Sequence, residues 1–136
     1  NIMKRLFILL LLCVVSFATQ AQGVLHFVKG FHTTDTEYTI TSTDYQVEII
    51  QSDTEFLRFS VSVYSDAGKH ILTQLFKVGR YNIVIKNGEI SFDKIKHKIL
   101  IRGKELNEFI VVRAYVPYGV SLICNGNPMN GIELLN

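Results

Sequence analysis

The chain has 136 residues, 48% of them apolar, and its 14 basic and 12 acidic side chains leave a formal net charge of only +2. That balance excludes a basic field over the whole protein of the kind that attracts nucleic acid. No nucleophile elbow, Walker loop, dinucleotide fingerprint or zinc-ligand spacing occurs in the sequence, so we predict no catalytic residues, no cofactor and no metal site.

An apolar segment near the N-terminus is typical of an export signal. Lys4-Arg5 supplies the positive charge, and Leu6 to Phe17 is an apolar stretch of about a dozen residues, short for a bilayer span. Thr19-Gln20-Ala21 has the small side chains of a cleavage site. We therefore predict a signal peptide at residues 3–21 and a mature domain at residues 22–136 that is periplasmic, on the cell surface or extracellular. An uncleaved N-terminal anchor is the alternative.

Export changes the charge and cysteine content of the mature chain. Removing Lys4 and Arg5 leaves 12 basic residues, which equal the 12 acidic ones, so the mature protein is formally neutral. One of the two cysteines also leaves, and a single cysteine forms no internal disulfide, so stability must come from a hydrophobic core. The remaining Cys124 lies on the same side of its predicted strand as Val120 and Leu122. We interpret it as a buried, inert thiol, with a reactive thiol as the alternative.

The clearest alternation of apolar and polar residues runs from Phe56 to Tyr64. A period of two predicts a half-buried strand with one wet face. The inward set is Leu57, Phe59, Val61 and Val63, and the outward set is Arg58, Ser60 and Ser62.

A β-hairpin is predicted around Asn87-Gly88, between strands at Arg80–Lys86 and Glu89–Asp93. This dipeptide favours the type I′ turn because both of its residues must take positive φ. Further strands are predicted at Gly23–Phe31, Glu37–Thr41, Tyr45–Gln51 and Lys98–Arg102, with turns at Thr43-Asp44 and Ser52–Thr54.

The segment His70–Val78 fits two structures. Its apolar residues Ile71, Leu72, Leu75 and Phe76 have the spacing of a short amphipathic helix. Because the surrounding segments are rich in strand-forming residues, we predict a strand here, with a helix as the alternative.

The C-terminal block predicts strands separated by two turns. The run Val111–Val116 has apolar residues at both odd and even positions, which is typical of a strand covered on both faces. Pro117-Tyr118-Gly119 predicts a turn, because proline cannot donate to the ladder and glycine permits unusual φ. Val120–Cys124 is the next strand, Asn125–Pro128 a second turn, and Ile132–Leu135 a last short strand.

These segments total about ten short strands with frequent turns, and no linker divides them. The sequence therefore predicts a single all-β domain. An antiparallel or solenoid-like β-strand stack and a β-sandwich both fit, and whether the strands close into a barrel stays open.

The segment Val112-Arg113-Ala114-Tyr115-Val116-Pro117-Tyr118-Gly119-Val120-Ser121-Leu122 resembles the V-x-A-x-VP-x-GVSL segment of bacterial adhesin-like β-strand-repeat proteins, which include the head GIN domain type. Tyr45–Ile49, followed by a polar turn, is similar to the opening strand of those proteins. The resemblance implies stacked strands with Gly-Ile or Gly-Val rungs, one of which is Gly131–Leu134. It also implies a non-enzymatic role in adhesion or scaffolding, and it implies no catalytic residues.

A stripe of cations is the one candidate binding feature. If the chain from Lys94 to Lys104 ran as one strand, five cations would line a single face over roughly 33 Å. Such a stripe would fit an acidic polysaccharide or lipid phosphate. The competing interpretation, which we favour, is a solvated face or a guard against edge-to-edge aggregation. The five residues are Lys94, Lys96, Lys98, Arg102 and Lys104.

Two functions follow as hypotheses. One is a non-enzymatic adhesion or scaffolding domain of the cell envelope, whose partner is an envelope polysaccharide or another envelope protein. The other is a small β-barrel or sandwich that binds a ligand or glycan. An envelope hydrolase is a distant third, because a carboxylate pair would be visible only in the fold.

We expect no nucleic-acid partner and no transmembrane segment in the mature chain. Surface or structural roles are expected for the histidines, which are His26, His32, His70 and His97.

Overall fold

The structure is a computed structural model that describes residues 23–128. The predicted signal peptide, its cleavage site and the predicted strand at Ile132–Leu135 lie outside this range.

Nine strands and one short helix occur within residues 23–128. In chain order they are β1 (Gly23–His32), β2 (Glu37–Ser52), β3 (Phe56–Ser65), α1 (Lys69–Lys77), β4 (Ile83–Lys86), β5 (Glu89–Phe92), β6 (Leu100–Ile101), β7 (Lys104–Glu105), β8 (Glu108–Pro117) and β9 (Ser121–Pro128).

Seven strands form one mixed sheet, which curls into a nearly closed barrel. The strand order is β1-β3-β8-β2-β5-β4, with β9 against β2, while β6 and β7 pair only with each other. Strand β2 runs parallel to β5, β8 and β9, and every other pairing in the sheet is antiparallel. The all-β prediction is confirmed, but a purely antiparallel arrangement is wrong because β2 has three parallel neighbours.

The long strand β2 replaces two predicted strands and a predicted turn. Residues Thr43-Asp44, which we expected to form a turn, lie inside β2. They fall where the register of β2 against β9 shifts between Ser42 and Val47. Asn125–Pro128, the other expected turn, belongs to β9. Both predictions are wrong because of distant segments, which local turn chemistry does not reveal. Asn125 pairs in parallel with Thr41 of β2, and Thr43-Asp44 lies between two stretches of β2 that are paired with distant strands.

Strand β3 supplies the centre of the core. Leu57, Phe59, Val61 and Val63 are fully buried, as predicted. Arg58 is exposed, but Ser60 and Ser62 are half-buried rather than exposed. Both serines lie between β1 and β8 in the sheet, and His26 Nδ1 of β1 lies 3.0 Å from Ser62 Oγ.

Strand β8 is covered mainly on one face. Ile110, Val112 and Ala114 are buried, whereas Val111 is half-buried and Arg113 is exposed. The predicted coverage on both faces is wrong, because the inward face meets the barrel core and the outward face is open. The turn predicted after β8 is confirmed, with Val120 N–H donating to Pro117 C=O at 3.2 Å.

The ambiguous segment forms the helix α1, so the predicted strand is wrong. Leu72 is completely buried and Leu75 packs against the core. The Phe76 ring lies 4.9 Å from the Phe27 ring of β1, centroid to centroid. The helical spacing of the apolar residues was therefore the stronger signal, because it places them against the inner face of β1. No helix within residues 23–128 is long and apolar enough to cross a membrane.

The hairpin between β4 and β5 is confirmed, and Asn87 and Gly88 take φ of 54° and 75°. We expect Gly88→Ala to lower the free energy of unfolding by about 1–2 kcal/mol, since a side chain is strained in this left-handed conformation. The added Cβ would also lie 3.3 Å from the Glu37 carbonyl oxygen. The measurement is urea unfolding.

The matched control for that substitution is Gly30→Ala in β1. Gly30 lies outside the left-handed region, and a Cβ there would approach only the Phe56 Cβ, at 4.0 Å. We expect this variant to be neutral or slightly stabilising, because alanine has fewer unfolded conformations than glycine. Equal losses at the two glycines would contradict the assignment of the turn.

Candidate functional site

The chain from Lys94 to Lys104 does not run as one strand. From Lys94 the chain follows bends and turns until β6 begins at Leu100. It then reverses direction at Arg102-Gly103, where φ is 53° and 76°, and continues as β7. The geometric premise of the cation stripe is therefore wrong, although all five cations are exposed. Binding of an anionic polymer by these five residues stays a prediction.

A buried arginine organises this region instead. The Arg80 guanidinium donates to three backbone carbonyls of the loop that follows β5: Lys94 at 3.4 Å, Ile95 at 3.2 Å and His97 at 2.8 Å. It also forms a salt bridge with Glu108, the first residue of β8. Arginine suits this position because its planar fork of N–H donors can serve several acceptors at once. The loop is thereby held against the end of the barrel.

Glu108 is held from two directions. One carboxylate oxygen accepts from the Arg80 guanidinium, and the other accepts from the Tyr81 hydroxyl at 2.7 Å. Burial raises the pKa of Tyr81 well above its usual value, and the hydrogen bond to Glu108 raises it further. The side chains of Arg80 and Glu108 are 7% and 10% exposed. Because both oxygens of Glu108 are engaged, this carboxylate fits a structural role better than that of a free base.

An open cleft of about 300 Å³ lies over this network, and we call it the Asp44 cleft. Two smaller depressions, of about 200 and 210 Å³, also have Asp44 in their walls. The walls of the Asp44 cleft are formed by Asp44, Arg80, Ile95, Lys96, His97, Lys98, Ile99, Glu105, Leu106, Asn107 and Glu108.

Polar side chains of both signs line the Asp44 cleft. Lys96 and Lys98 come from the anchored loop and Glu105 from β7, and all three are exposed. The side chains of these three residues make no hydrogen bond or ion pair with any other residue in the described range. The cleft therefore offers both donors and acceptors to a ligand.

The remaining cations of the predicted stripe lie elsewhere. Lys104 lines a separate depression of about 160 Å³ together with Asp66 and Leu106. Lys94 and Arg102 do not belong to the walls of the Asp44 cleft. The structure thus brings together Lys96 and Lys98 and separates them from the other three.

A tyrosine in the irregular part of β2 lies next to the cleft and hydrogen-bonds to the same strand. The Tyr45 hydroxyl donates to the Thr41 carbonyl, and its ring lies 4.8 Å from that of Phe92. Burial raises the pKa of Tyr45 to about 12, with smaller contributions from Cys124 and Asp44. Tyr45 therefore stays neutral at physiological pH and serves as packing.

Cys124 is half-buried, and its Sγ lies 3.4 Å from Ser42 Oγ. Like Val120 and Leu122 it is only partly buried against the core, so the predicted burial of the thiol is incomplete, and its inertness stays a prediction.

The histidines do not converge. His26 contacts Ser62, His32 packs on Phe56, and His70 lies beside Gln74 on α1. Only His97 lines the Asp44 cleft. Among the residues described, no group of three or more His, Cys, Asp or Glu side chains is placed to hold a metal ion.

Sequence reasoning missed Arg80, Glu108 and the cleft that they support. Arg80 follows a glycine in a predicted strand, and nothing near it in the sequence distinguishes it from a surface cation. Its partner Glu108 is 28 residues away.

Comparison of the chain with models of known protein families, with curated proteins and with solved structures gave no match.

Proposed function

We propose that the protein is a non-enzymatic binding domain of the cell envelope that takes a polar glycan into the Asp44 cleft. The observation that carries the proposal is the lining of this cleft, in which Lys96 and Lys98 of the anchored loop and Glu105 of β7 have no protein partner within the described residues. A role in adhesion or scaffolding agrees with the resemblance to adhesin-like proteins, and the predicted signal peptide agrees with a place outside the inner membrane.

The balance of charges favours a hydroxyl-rich ligand over a polyanion. Lys96 and Lys98 share the walls of the cleft with two carboxylates, Asp44 and Glu105. Arg80 and Glu108 neutralise each other. A sugar hydroxyl both donates and accepts, so it can bind the ammonium groups and the carboxylates together. A polyanion would meet repulsion from the two carboxylates.

The volume of the cleft suits a small part of a chain. About 300 Å³ lies at the lower end of the range for small-molecule sites, which fits one or two sugar units. The anchored loop is pre-formed, which lowers the entropy cost of binding. An end or branch of an envelope glycan would fit here.

The test is a glycan microarray carrying neutral oligosaccharides, followed by calorimetry on the glycan that binds. We expect Lys96→Ala and Glu105→Ala each to weaken binding about tenfold or more, because hydrogen bonds to charged groups contribute about 1.5–3 kcal/mol. Raising the salt from 0.1 to 1 M should change the affinity little, since no net charge is neutralised.

The matched control is Lys86→Ala, an exposed lysine on β4 that does not line the cleft. This variant should bind as the parent protein does. If no glycan binds, or if the two cleft variants bind as well as the control, the proposed function is wrong.

A further inference from the structure

A second surface lies on the outer face of the sheet, away from the Asp44 cleft. Strands β1, β3 and β8 are adjacent, and their outward residues stand in rows across the sheet. One row joins Val24, Tyr64 and Phe109, and another joins Gly30, Arg58 and Tyr115. We call this surface the outer face. The helix α1 packs on the opposite face of β1, through Phe27.

Aromatic rings stand at both ends of the outer face. Tyr64 and Phe109 pair at 6.2 Å between centroids, and the Phe109 side chain is 51% exposed. At the other end Phe56 pairs with His32 at 4.8 Å and is 40% exposed. Phe56 and Tyr64 lie eight positions apart on β3, which is about 27 Å at the rise of a strand. The two pairs therefore span a length suited to an extended chain.

The charge of the outer face is positive. Arg58 lies over the Tyr115 ring at 4.6 Å and forms no salt bridge with any carboxylate in the described range. Arg113 pairs with Glu48 at 2.9 Å. Glu48 belongs to the neighbouring strand β2 and is buried, and the outward residues of β1, β3 and β8 include no carboxylate. An exposed anion is thus missing from these strands, while exposed cations are present.

We propose that the outer face binds an extended acidic polysaccharide whose sugars carry carboxylates. Aromatic rings pack against the apolar face of a pyranose, and the guanidinium of Arg58 matches a carboxylate in shape and charge. The positive charge of Arg58 favours an acidic polymer. The distance between the two aromatic pairs favours an extended one. A peptide strand would instead add to an edge of the sheet through backbone hydrogen bonds.

This surface is independent of the Asp44 cleft in position and in the ligand that it takes. The cleft has balanced charges and about 300 Å³ of volume, whereas the outer face is the outward surface of three strands and carries Arg58 without a carboxylate partner in the described range. One protein could thus hold a sugar unit in the cleft and a polymer on the face.

The experiment is a calorimetric titration of the protein with an oligogalacturonate and with its fully methyl-esterified form. The ester keeps the sugar rings and removes the charge. We expect the oligogalacturonate to bind and the ester to bind at least tenfold more weakly. The affinity for the acidic form should fall steeply with salt, as a charge-driven contact does.

Variants locate the contact. Arg58→Ala should weaken oligogalacturonate binding about tenfold or more. Phe109→Ala should weaken the binding of both forms, because it removes a stacking ring. Lys96→Ala, in the cleft, should leave oligogalacturonate binding unchanged. Thermal unfolding of each variant shows whether it is folded, and Arg58→Lys provides a second variant that keeps the charge and loses the planar fork.

Three outcomes would overturn the proposal. The first is that oligogalacturonate does not bind to the folded protein. The second is that binding survives both Arg58→Ala and Phe109→Ala. The third is that an oligoglutamate peptide of equal charge binds as tightly, which would assign the face to acidic peptides. None of these results bears on glycan binding in the cleft, whose variants are separate.

Discussion

Replacing Arg80 with alanine should lower the free energy of unfolding by about 3–5 kcal/mol, because it leaves a buried carboxylate without its cation. The Arg80 side chain is 7% exposed, and it binds Glu108 together with three loop carbonyls. The same change should release the loop from the barrel end, since the carbonyls lose their donor. Denaturant unfolding measures the first effect, and hydrogen exchange at residues 94–98 measures the second.

Glu108→Gln separates the two parts of this network. The glutamine oxygen can still accept from Arg80, its amide N–H can donate to the Tyr81 hydroxyl instead of accepting from it, and the three loop carbonyls keep their donor. We expect a smaller loss, about 1–3 kcal/mol, and little change in exchange of the loop amides. Lys86→Ala, which removes an exposed cation, should change stability by less than about 0.5 kcal/mol. A loss for Arg80→Ala as small as that of Lys86→Ala would show that Arg80 does not anchor the loop.

Phe59→Ala should cost about 3–5 kcal/mol of unfolding free energy, as large-to-small changes in a core do. Phe59 is completely buried on β3, and its ring meets the Phe31 ring edge-on at 5.9 Å. The surrounding strands are paired on both sides, so the cavity left by the ring cannot close easily. Urea or thermal unfolding gives the loss directly.

The control for Phe59 is the same substitution at Phe109, whose ring is 51% exposed. Its removal leaves no cavity and affects mainly the contact with Tyr64, so the loss should stay below about 1.5 kcal/mol. If the two substitutions lower the free energy of unfolding by the same amount, then the inward and outward faces of this sheet have been assigned wrongly.

The parts of the fold that were predicted correctly rest on local patterns. The alternation along β3 fixes which residues face inward, because every second side chain points the same way. The hairpin at Asn87-Gly88 follows from the φ values that its turn requires. In both cases the neighbours in sequence contain the whole physical cause.

The parts that were predicted wrongly depend on distant segments. Asn125–Pro128 has the composition of a turn, yet it lies in β9 because this strand pairs in parallel with β2 across about 80 residues. Thr43-Asp44 also has the composition of a turn, yet it lies inside β2, between two stretches that pair with distant strands. The neighbours of the α1 segment predict a strand there, although its own apolar spacing indicates the helix that the structure shows.

The candidate site could be predicted only in fragments. Lys96 and Lys98 were singled out for their charge, and they do line the Asp44 cleft. The stripe that was to connect them with Lys94, Arg102 and Lys104 does not exist, because the chain turns at Arg102-Gly103. Arg80 and Glu108, which build the cleft, gave no signal in the sequence, since a buried ion pair is defined by two residues that meet only after folding.

The most direct test of glycan binding in the Asp44 cleft is an amide NMR titration of the protein with the oligosaccharide that the microarray selects. We predict that the largest shifts fall on residues 95–99 and 105–108, and that the outward residues of β1 and β3 remain unchanged. The same titration of Lys96→Ala should require about tenfold more ligand. Shifts spread evenly over the surface, or confined to strands away from the cleft, would contradict the assignment of this cleft as the binding site.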